Sequence, residues 1–478
     1  MEQRIAFNKT KIVATVGPAC NSREKLKELA LAGVDVFRLN FSHGSHEEHL
    51  QVVQYVRSIN EELGTHIALL QDLQGPKIRT REVENNGVEL KAGQELVITT
   101  ERVLGNSHLI STSYEAMPQD VKSGDMILVD DGKIELRVER SEGNKVFTRV
   151  IYGGILKSRK GINLPMTDVS APSLTEKDEE DLVFGMQNDL DWIALSFVRT
   201  ADDVLSLKEK IRKAGKYCKV MAKVEKPEAL KNIDAIIRAA DGIMVARGDL
   251  GVETQMEEVP MVQKMIVRKC NDIGKPVIIA TQMMESMITN PRPTRAETND
   301  IANAVSDGAD ALMLSAETAA GQYPLEVIKS MVRTILSVEE NMPSIYFKHE
   351  NVSEQSATFL NDSIVLQACR LAKKVKANAI VGMTKSGYTG YRIASHRPKA
   401  NVFIFTNNRP LMSSLNLLWG IRCFYYDKME STDQTFTDIT NYLKEMGCLF
   451  EGNILIHTAS MPIQAKARTN TIKLTVVD

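Results

Sequence analysis

Long apolar runs are absent from this sequence. None approaches the roughly twenty residues that a helix needs to cross a bilayer, and Met1 to Thr10 hold no apolar signal region before the first strand-like run. A cytoplasmic protein without a membrane partner is the expectation. Neither sign of charge is in excess: the net charge is −2 with 25% charged residues, which gives no electrostatic case for nucleic acid as a partner. Paired cysteines are missing too. Cys20, Cys218, Cys270, Cys369, Cys423 and Cys448 show no CxxC spacing, so neither a thiolate zinc site nor a disulfide framework is expected, and the thiols are read as buried. The acceptor patterns at Asn8, Asn351 and Asn361 have no secretory context and are read as chance. Finally, there is neither a GxxxxGK[ST] loop nor a GxGxxG, so nucleotide recognition cannot be read from a motif.

What the chain does contain is a repeated short run of β-branched and apolar residues, usually followed by an amphipathic segment. The runs are Ile12 to Val16, Val34 to Phe41, Ile67 to Leu73, Trp192 to Val198, Val220 to Val224, Gly242 to Ala246, Val277 to Gln282 and Ala311 to Leu314. Eight strand-helix units predict a (β/α)₈ barrel, with its active site at the C-terminal ends of the strands. One connection is out of proportion. Between Leu73 and Thr175 lie about a hundred residues, too many for plain loop. They carry alternating runs at 88–90, 95–99, 126–130, 134–138 and 145–150, which predict a small inserted β-barrel lid. After roughly Pro343 the pattern resets to an open α/β sheet whose last strand, Thr471 to Val476, is expected to be an antiparallel edge. The expected domains are 1–80 with 165–343 (barrel), 81–164 (lid) and 344–478 (C-terminal).

Lys219 to Glu253 organises the rest. Alternation on a strand puts Lys223 and Glu225 on one face at its C-terminal end, and Asp249 follows the next strand at an equivalent level. Two carboxylates beside a long cation can hold a divalent ion next to an oxyanion. An ordinary salt-bridged strand end would look the same in isolation. Arg247-Gly248-Asp249 would also match an adhesion tripeptide, which needs an exposed loop on a secreted chain. Repetition favours the site: Arg38, Asn40 and Ser42, then Asp72, Lys77 and Arg79, then Thr281, Ser315 and Glu317 all fall at strand ends. His43, His46 and His49 raise a zinc site, but only the last two share a helix face and no further ligand is evident.

Six runs carry a specific resemblance: 37–44 (FRLNFSHG), 71–80 (QDLQGPKIRT), 222–229 (AKVEKPEA), 246–253 (ARGDLGVE), 280–287 (ATQMMESM) and 313–319 (MLSAETA). In this order, and with the lid and the last domain alongside, the chain resembles pyruvate kinase over its whole length. The resemblance implies phosphoryl transfer from phosphoenolpyruvate to ADP, giving ATP and an enolate that is protonated to pyruvate. It implies that Glu225 and Asp249 bind Mg²⁺ or Mn²⁺ and that Lys223 stabilises the phosphoryl and enolate oxygens. Backbone amides from Ala246 through Gly248 to Asp249 would hold the substrate carboxylate. Arg38 and Arg79 would be candidate cations for the phosphate. Thr281, with Ser315 behind it, would be placed where its hydroxyl or a water it holds gives the enolate its proton, the water relay being the safer reading since a free hydroxyl is a poor acid. The nucleotide would lie between barrel and lid near His43, Asp131 and Lys160.

One departure from the family pattern has a consequence. Much of the family reads Asp-Thr-Lys-Gly-Pro-Glu across Asp72 to Lys77 and binds K⁺ through positions matching Asn40, Ser42, Asp72 and that threonine. Here Leu73 and Lys77 replace the threonine and the glutamate. A fixed ammonium supplies the charge, and two adjacent cations repel, so no K⁺ requirement is expected. In the C-terminal domain Thr384, Lys385, Ser386, Gly387 and Thr389 are expected to form a phosphate cradle, at the position that binds an allosteric sugar phosphate in the family, and a sugar-phosphate or nucleotide effector is expected here; a plain Ser/Thr-capped turn is the alternative. The late loop, Gln464 to Asn470, has no glycine, which leaves the effector open. A homotetramer is implied by resemblance. Two rivals stand beside this reading: a metal-dependent carbon-carbon lyase acting on pyruvate, and a sensor that binds without turnover.

Overall fold

A computed structural model describes residues 7–165, 167–170, 172–347, 352, 354–428, 431–461 and 468–478. The acceptor pattern at Asn351 and part of the loop from Gln464 lie outside the described residues.

All eight expected strands form and close into one parallel barrel: Lys11–Thr15, Val36–Asn40, Ala68–Asp72, Trp192–Leu195, Lys219–Val224, Gly242–Ala246, Val277–Ala280 and Ala311–Leu314, the last pairing with the first. Alternate residues face opposite ways, which divides each strand between two cores. Val220, Ala222 and Val224 pack outward against the helices, while Met221 packs inward with Val13, Trp192, Met244 and Ile278. The next inward position after Met221 is Lys223, so the charge at that strand's end is aimed into the mouth by the same periodicity that buries its methionine. Several of the surrounding helices begin on hydroxyl caps. Ser45, Thr175 and Thr294 each close a capping box with the acidic residue three positions on.

The insert is a curled sheet, half a barrel, with its own core. Six strands run in the order Ile162–Asn163, Met126–Val129, Ile134–Glu142, Lys145–Tyr152, Glu95–Thr99 and Leu109–Ser111; a separate pair joins Val88–Leu90 to Gly154–Leu156. Three of these, at 109–111, 154–156 and 162–163, were not expected from the sequence, being two or three residues long; Val88–Leu90, equally short, was. Ile78 already packs into this core.

The C-terminal sheet has four parallel strands, Ile421–Tyr425, Asn401–Thr406, Ala379–Met383 and Ile454–Ala459, and the expected antiparallel edge Thr471–Val476. This domain plugs the barrel floor: Leu417 joins the inner barrel core, and the indole N–H of Trp192 donates to the Ser414 carbonyl at 3.1 Å. Among the cysteines, all free, Cys20, Cys270, Cys369 and Cys423 are buried, whereas Cys218 and Cys448 are only half-buried, contrary to expectation. Among the described residues no helix is long and apolar enough to cross a membrane.

Candidate active site

The parallel register Lys223 to Met244 and Val224 to Val245 brings the two charged strand ends side by side. The Lys223 ammonium is buried among three acceptors: Asp72 Oδ1 at 3.1 Å, Glu225 Oε1 at 3.0 Å and Ser196 Oγ at 2.7 Å. These use its three protons. Asp72 is also held from the second strand, where Arg38 Nε lies 2.6 Å from Oδ2. Arg38 in turn donates to Thr15 Oγ1 at 2.9 Å, and Thr15 donates to the Leu314 carbonyl at 2.8 Å. The other oxygen of Glu225 accepts the Phe197 N–H at 2.7 Å. Six strand ends are thereby tied into one network.

Burial is the largest single influence on each charged group, and the neighbours decide the outcome. Burial would push the Asp72 carboxyl up, but Lys223 and Arg38 together hold it below the usual carboxylate range. Burial would lower the Lys223 ammonium, yet Asp72 and Glu225 raise it above its ordinary value. The Glu225 carboxyl is pushed up, first by burial and then by the negative charge of Asp249, against the pull of Lys223. Two carboxylates that repel one another across a cavity are a donor set suited to a hard divalent cation.

That cavity, about 160 Å³, is lined by Arg38, Asn40, Ser42, His43, Asp72, Leu73, Lys77, Arg79, Lys223, Glu225 and Asp249, together with Gln74, Ser196 and Phe197. The first eleven were expected from the sequence; Ser196, Gln74 and Phe197, and Thr15 behind Arg38, were not. Ser196 and Thr15 do sit at strand ends at the level of Arg38 and Asp72, the one signal that could have found them. Asp249 lies in the short helix Arg247–Glu253, and its Oδ1 is 3.2 Å from Lys77 Nζ. Lys77 reaches it because Gly75, at φ +68°, folds the preceding loop against Ser196 and Phe197, where a Cβ would meet side-chain atoms at 2.8 and 2.9 Å. Arg247 is paired with Asp300 at 2.8 Å inside a helix, so the adhesion reading has no exposed loop.

Residues 7–328 match the family model of the pyruvate kinase barrel domain, and residues 362–475 match that of the pyruvate kinase alpha/beta domain. The chain belongs to the pyruvate kinase family. It is 43% identical over 476 residues to a pyruvate kinase of Geobacillus stearothermophilus, covering 98% of this chain and 80% of that one. With a pyruvate kinase of Clostridium acetobutylicum it shares 39% identity, over 99% of this chain and 100% of the relative. The crystal structure of a pyruvate kinase from Cryptosporidium parvum superposes with a TM-score of 0.92 at 34% identity, covering 100% of this chain and 99% of that one. The chain is therefore an enzyme of the pyruvate kinase family.

Other residues expected to act in this pyruvate kinase site lie outside the cavity lining. Thr281, at φ +71°, accepts the Gly248 N–H at 2.7 Å and donates to the Ala280 carbonyl at 2.5 Å. Its proton is thus committed to the backbone. Ser315 follows the eighth strand, and its N–H donates to Glu317 Oε2 at 2.7 Å, while Glu317 Oε1 accepts the Met284 N–H at 3.2 Å. Ala246 caps the start of the helix that carries Gly248 and Asp249. On the lid, Lys160 pairs with Asp130 at 2.8 Å, and the neighbouring Asp131 is exposed at the turn. His46 bonds Asp181 at 2.7 Å and His49 bonds the His43 carbonyl at 3.0 Å, so these two rings point to different partners, while His43 lines the cavity.

In the C-terminal domain two of the cradle's hydroxyls are used locally and a third across the domain. Thr384 Oγ1 accepts the Gly387 N–H at 2.9 Å, Ser386 Oγ accepts the Tyr388 N–H at 3.4 Å, and Thr389 bonds Thr469 at 2.9 Å. Gly387, at φ +85°, begins the helix Tyr388–Ser395, and Lys385 is exposed. This local pattern is that of the capped turn.

Proposed function

We propose that the enzyme transfers the phosphoryl group of phosphoenolpyruvate to ADP, the observation carrying this reading being the buried Lys223 ammonium between Asp72 and Glu225 with Asp249 across the same cavity. The bond between phosphorus and the enol oxygen breaks, a terminal phosphate oxygen of ADP takes the phosphorus, and the enolate keeps the electron pair until a proton reaches its methylene carbon. Lys223 holds negative charge on the phosphoryl and enol oxygens, and Arg38 from the second strand and Arg79 from the segment after the third orient the phosphate. Glu225 and Asp249 would hold Mg²⁺ or Mn²⁺, which when bound neutralises charge on the same oxygens. The substrate carboxylate takes the amides of the segment Ala246 to Asp249, displacing Thr281 Oγ1 from the Gly248 N–H. Binding thereby frees the Thr281 hydroxyl to hold the water that protonates the enolate, with Ser315 behind it.

The nucleotide lies between mouth and lid, bounded by His43, Asp131 and Lys160. Lys77 stands in for K⁺: its ammonium shares the cavity with Asn40, Ser42 and Asp72, while the Leu73 side chain is turned into the outer core. The cradle at Thr384 to Thr389 takes a phosphorylated effector by exchanging its internal caps for ligand oxygens. The working enzyme is a cytoplasmic homotetramer built of the three domains bounded at 80/81, 164/165 and 343/344. ATP formation from phosphoenolpyruvate and ADP, measured by a coupled assay in potassium-free buffer with and without KCl and phosphorylated effectors, tests the reading. Binding of phosphoenolpyruvate without ATP would favour the sensor, and carbon-carbon cleavage the lyase.

A further inference from the structure

The helix that bears Asp249 ends on a second acid, Glu253, one turn further on and on the same face. Glu253 is 3% exposed. Its Oε1 accepts from two different segments: Lys226 Nζ at 2.9 Å and Asn163 Nδ2 at 2.8 Å. Lys226 is the residue directly after Glu225, and Asn163 ends a strand of the lid. A single carboxylate oxygen therefore joins the two stretches that present Glu225 and Asp249, and joins both to the lid.

Two further observations bear on what this junction does. The lid touches the same helix a second time, where a Cβ on Gly132 would lie 3.9 Å from Val252 Cγ1. The other oxygen of Glu253, Oε2, is buried with no hydrogen-bond partner among the described residues, beside a cleft lined by Lys77, Ile162, Phe197 and Arg199. Leaving a buried carboxylate oxygen unpartnered is unfavourable, and an amide or a hydrophobe would fill a purely structural joint at lower cost. The charge is better explained by a requirement to hold two acid-bearing segments at one separation. Residues behind metal ligands act in this way, orienting the ligands and tuning affinity.

We propose that Glu253 is a positioning residue that sets the separation of Glu225 and Asp249 through Lys226 and its own helix, and couples that separation to the seating of the lid through Asn163. This rests on the reading of Glu225 and Asp249 as ligands of a divalent ion.

The test is binding of Mn²⁺ alone to the full chain, followed by electron paramagnetic resonance, beside KM and kcat for ADP. Glu253→Gln and Lys226→Met are expected to weaken Mn²⁺ binding about tenfold, whereas Asn163→Ala leaves it within about twofold and raises KM for ADP about tenfold with kcat little changed. Asp249→Asn serves as the reference. If Asp249→Asn retains full Mn²⁺ affinity, the ligand reading falls and this proposal with it. If Asp249→Asn loses the ion while Glu253→Gln binds it like the unaltered chain, or merely melts at lower temperature with unchanged affinity, the proposal alone is overturned. Should Glu253→Gln fail to fold, Lys226→Met and Asn163→Ala decide by the same criteria: unchanged Mn²⁺ affinity in the first together with unchanged KM in the second overturns it.

Discussion

At the barrel floor, Arg397 of the C-terminal domain reaches Asp310 through both Nη atoms, at 3.0 and 2.9 Å, and also donates to Asn271 Oδ1 and the Gly308 carbonyl, each at 2.7 Å. Lys11 there spans Asp35 at 3.1 Å and the Ile421 carbonyl at 3.0 Å. At the mouth, Lys223, Asp72 and Glu225 are also buried, but they border a cavity, and their partners lie on or just after neighbouring strands of one domain. Ion pairs at the floor join two domains and satisfy backbone carbonyls; ion pairs at the mouth join strand ends and leave one side open to a ligand. The same chemistry is enclosed between domains at one end and borders a cavity at the other, and what differs is whether space is left beside it.

The comparison breaks most visibly if the mouth proves structural. Lys223→Met is expected to lower kcat by about a thousandfold, the scale of losing a donor aimed at developing charge, with a smaller loss of thermal midpoint than at the floor because Asp72 keeps Arg38 and Glu225 keeps the Phe197 N–H. A coupled assay and a melting curve read both, and a collapse in stability with modest loss of rate would reverse the assignment. Arg397→Met should do the opposite: stranding Asp310 in the interface costs about 3–5 kcal/mol, read from the denaturant midpoint, while kcat/KM of the folded fraction stays within a few-fold.

A sharper test uses a buried titratable group that has no pair at all. His457, in the middle of the C-terminal sheet, packs on the Phe436 ring at 4.6 Å, and neither ring nitrogen has a hydrogen-bond partner among the described residues. Burial first, and then the charge of Lys473 opposite it, push the imidazole down to about 4, with Asp433 paired to Lys473 at 3.0 Å. The unfolded chain takes up the proton near the ordinary value, about 6.5, and the folded chain only near 4, so stability falls as pH drops from 6.5 towards 4, by about 3 kcal/mol in all. Urea midpoints across that window should show this slope, and His457→Leu should remove it. The smallest expected effect returns to the mouth: Lys77→Glu should lower activity about tenfold in potassium-free buffer, with KCl restoring it, since an adjacent cation is then attracted instead of repelled.

Much of this was legible in the chain. Eight apolar runs of strand length, each ending in polar residues, were enough for the barrel, because a strand buried on both faces cannot alternate and must read as a continuous apolar stretch. Lys223 and Glu225 could be placed on one face by counting alone. The lid strands at 109–111, 154–156 and 162–163 could not, since two or three residues carry too little period to stand out. Ser196, Thr15 and Glu253 escaped for another reason: a serine, a threonine and a glutamate at element ends are commonplace, and only their distances to Lys223, Arg38, Lys226 and Asn163 single them out.

The order of residues by itself determined the element types, the barrel and the direction of each charged strand end, because alternation and helical periodicity are local properties of the covalent chain. Only the tertiary structure decided which charge meets which: that Lys77 lies against Asp249, that Thr281 occupies the Gly248 amide, and that one oxygen of Glu253 gathers two acid-bearing segments and the lid. Contacts between residues that distant in sequence depend on how closed layers pack, and the energy of a charge depends on the space and partners that packing leaves around it.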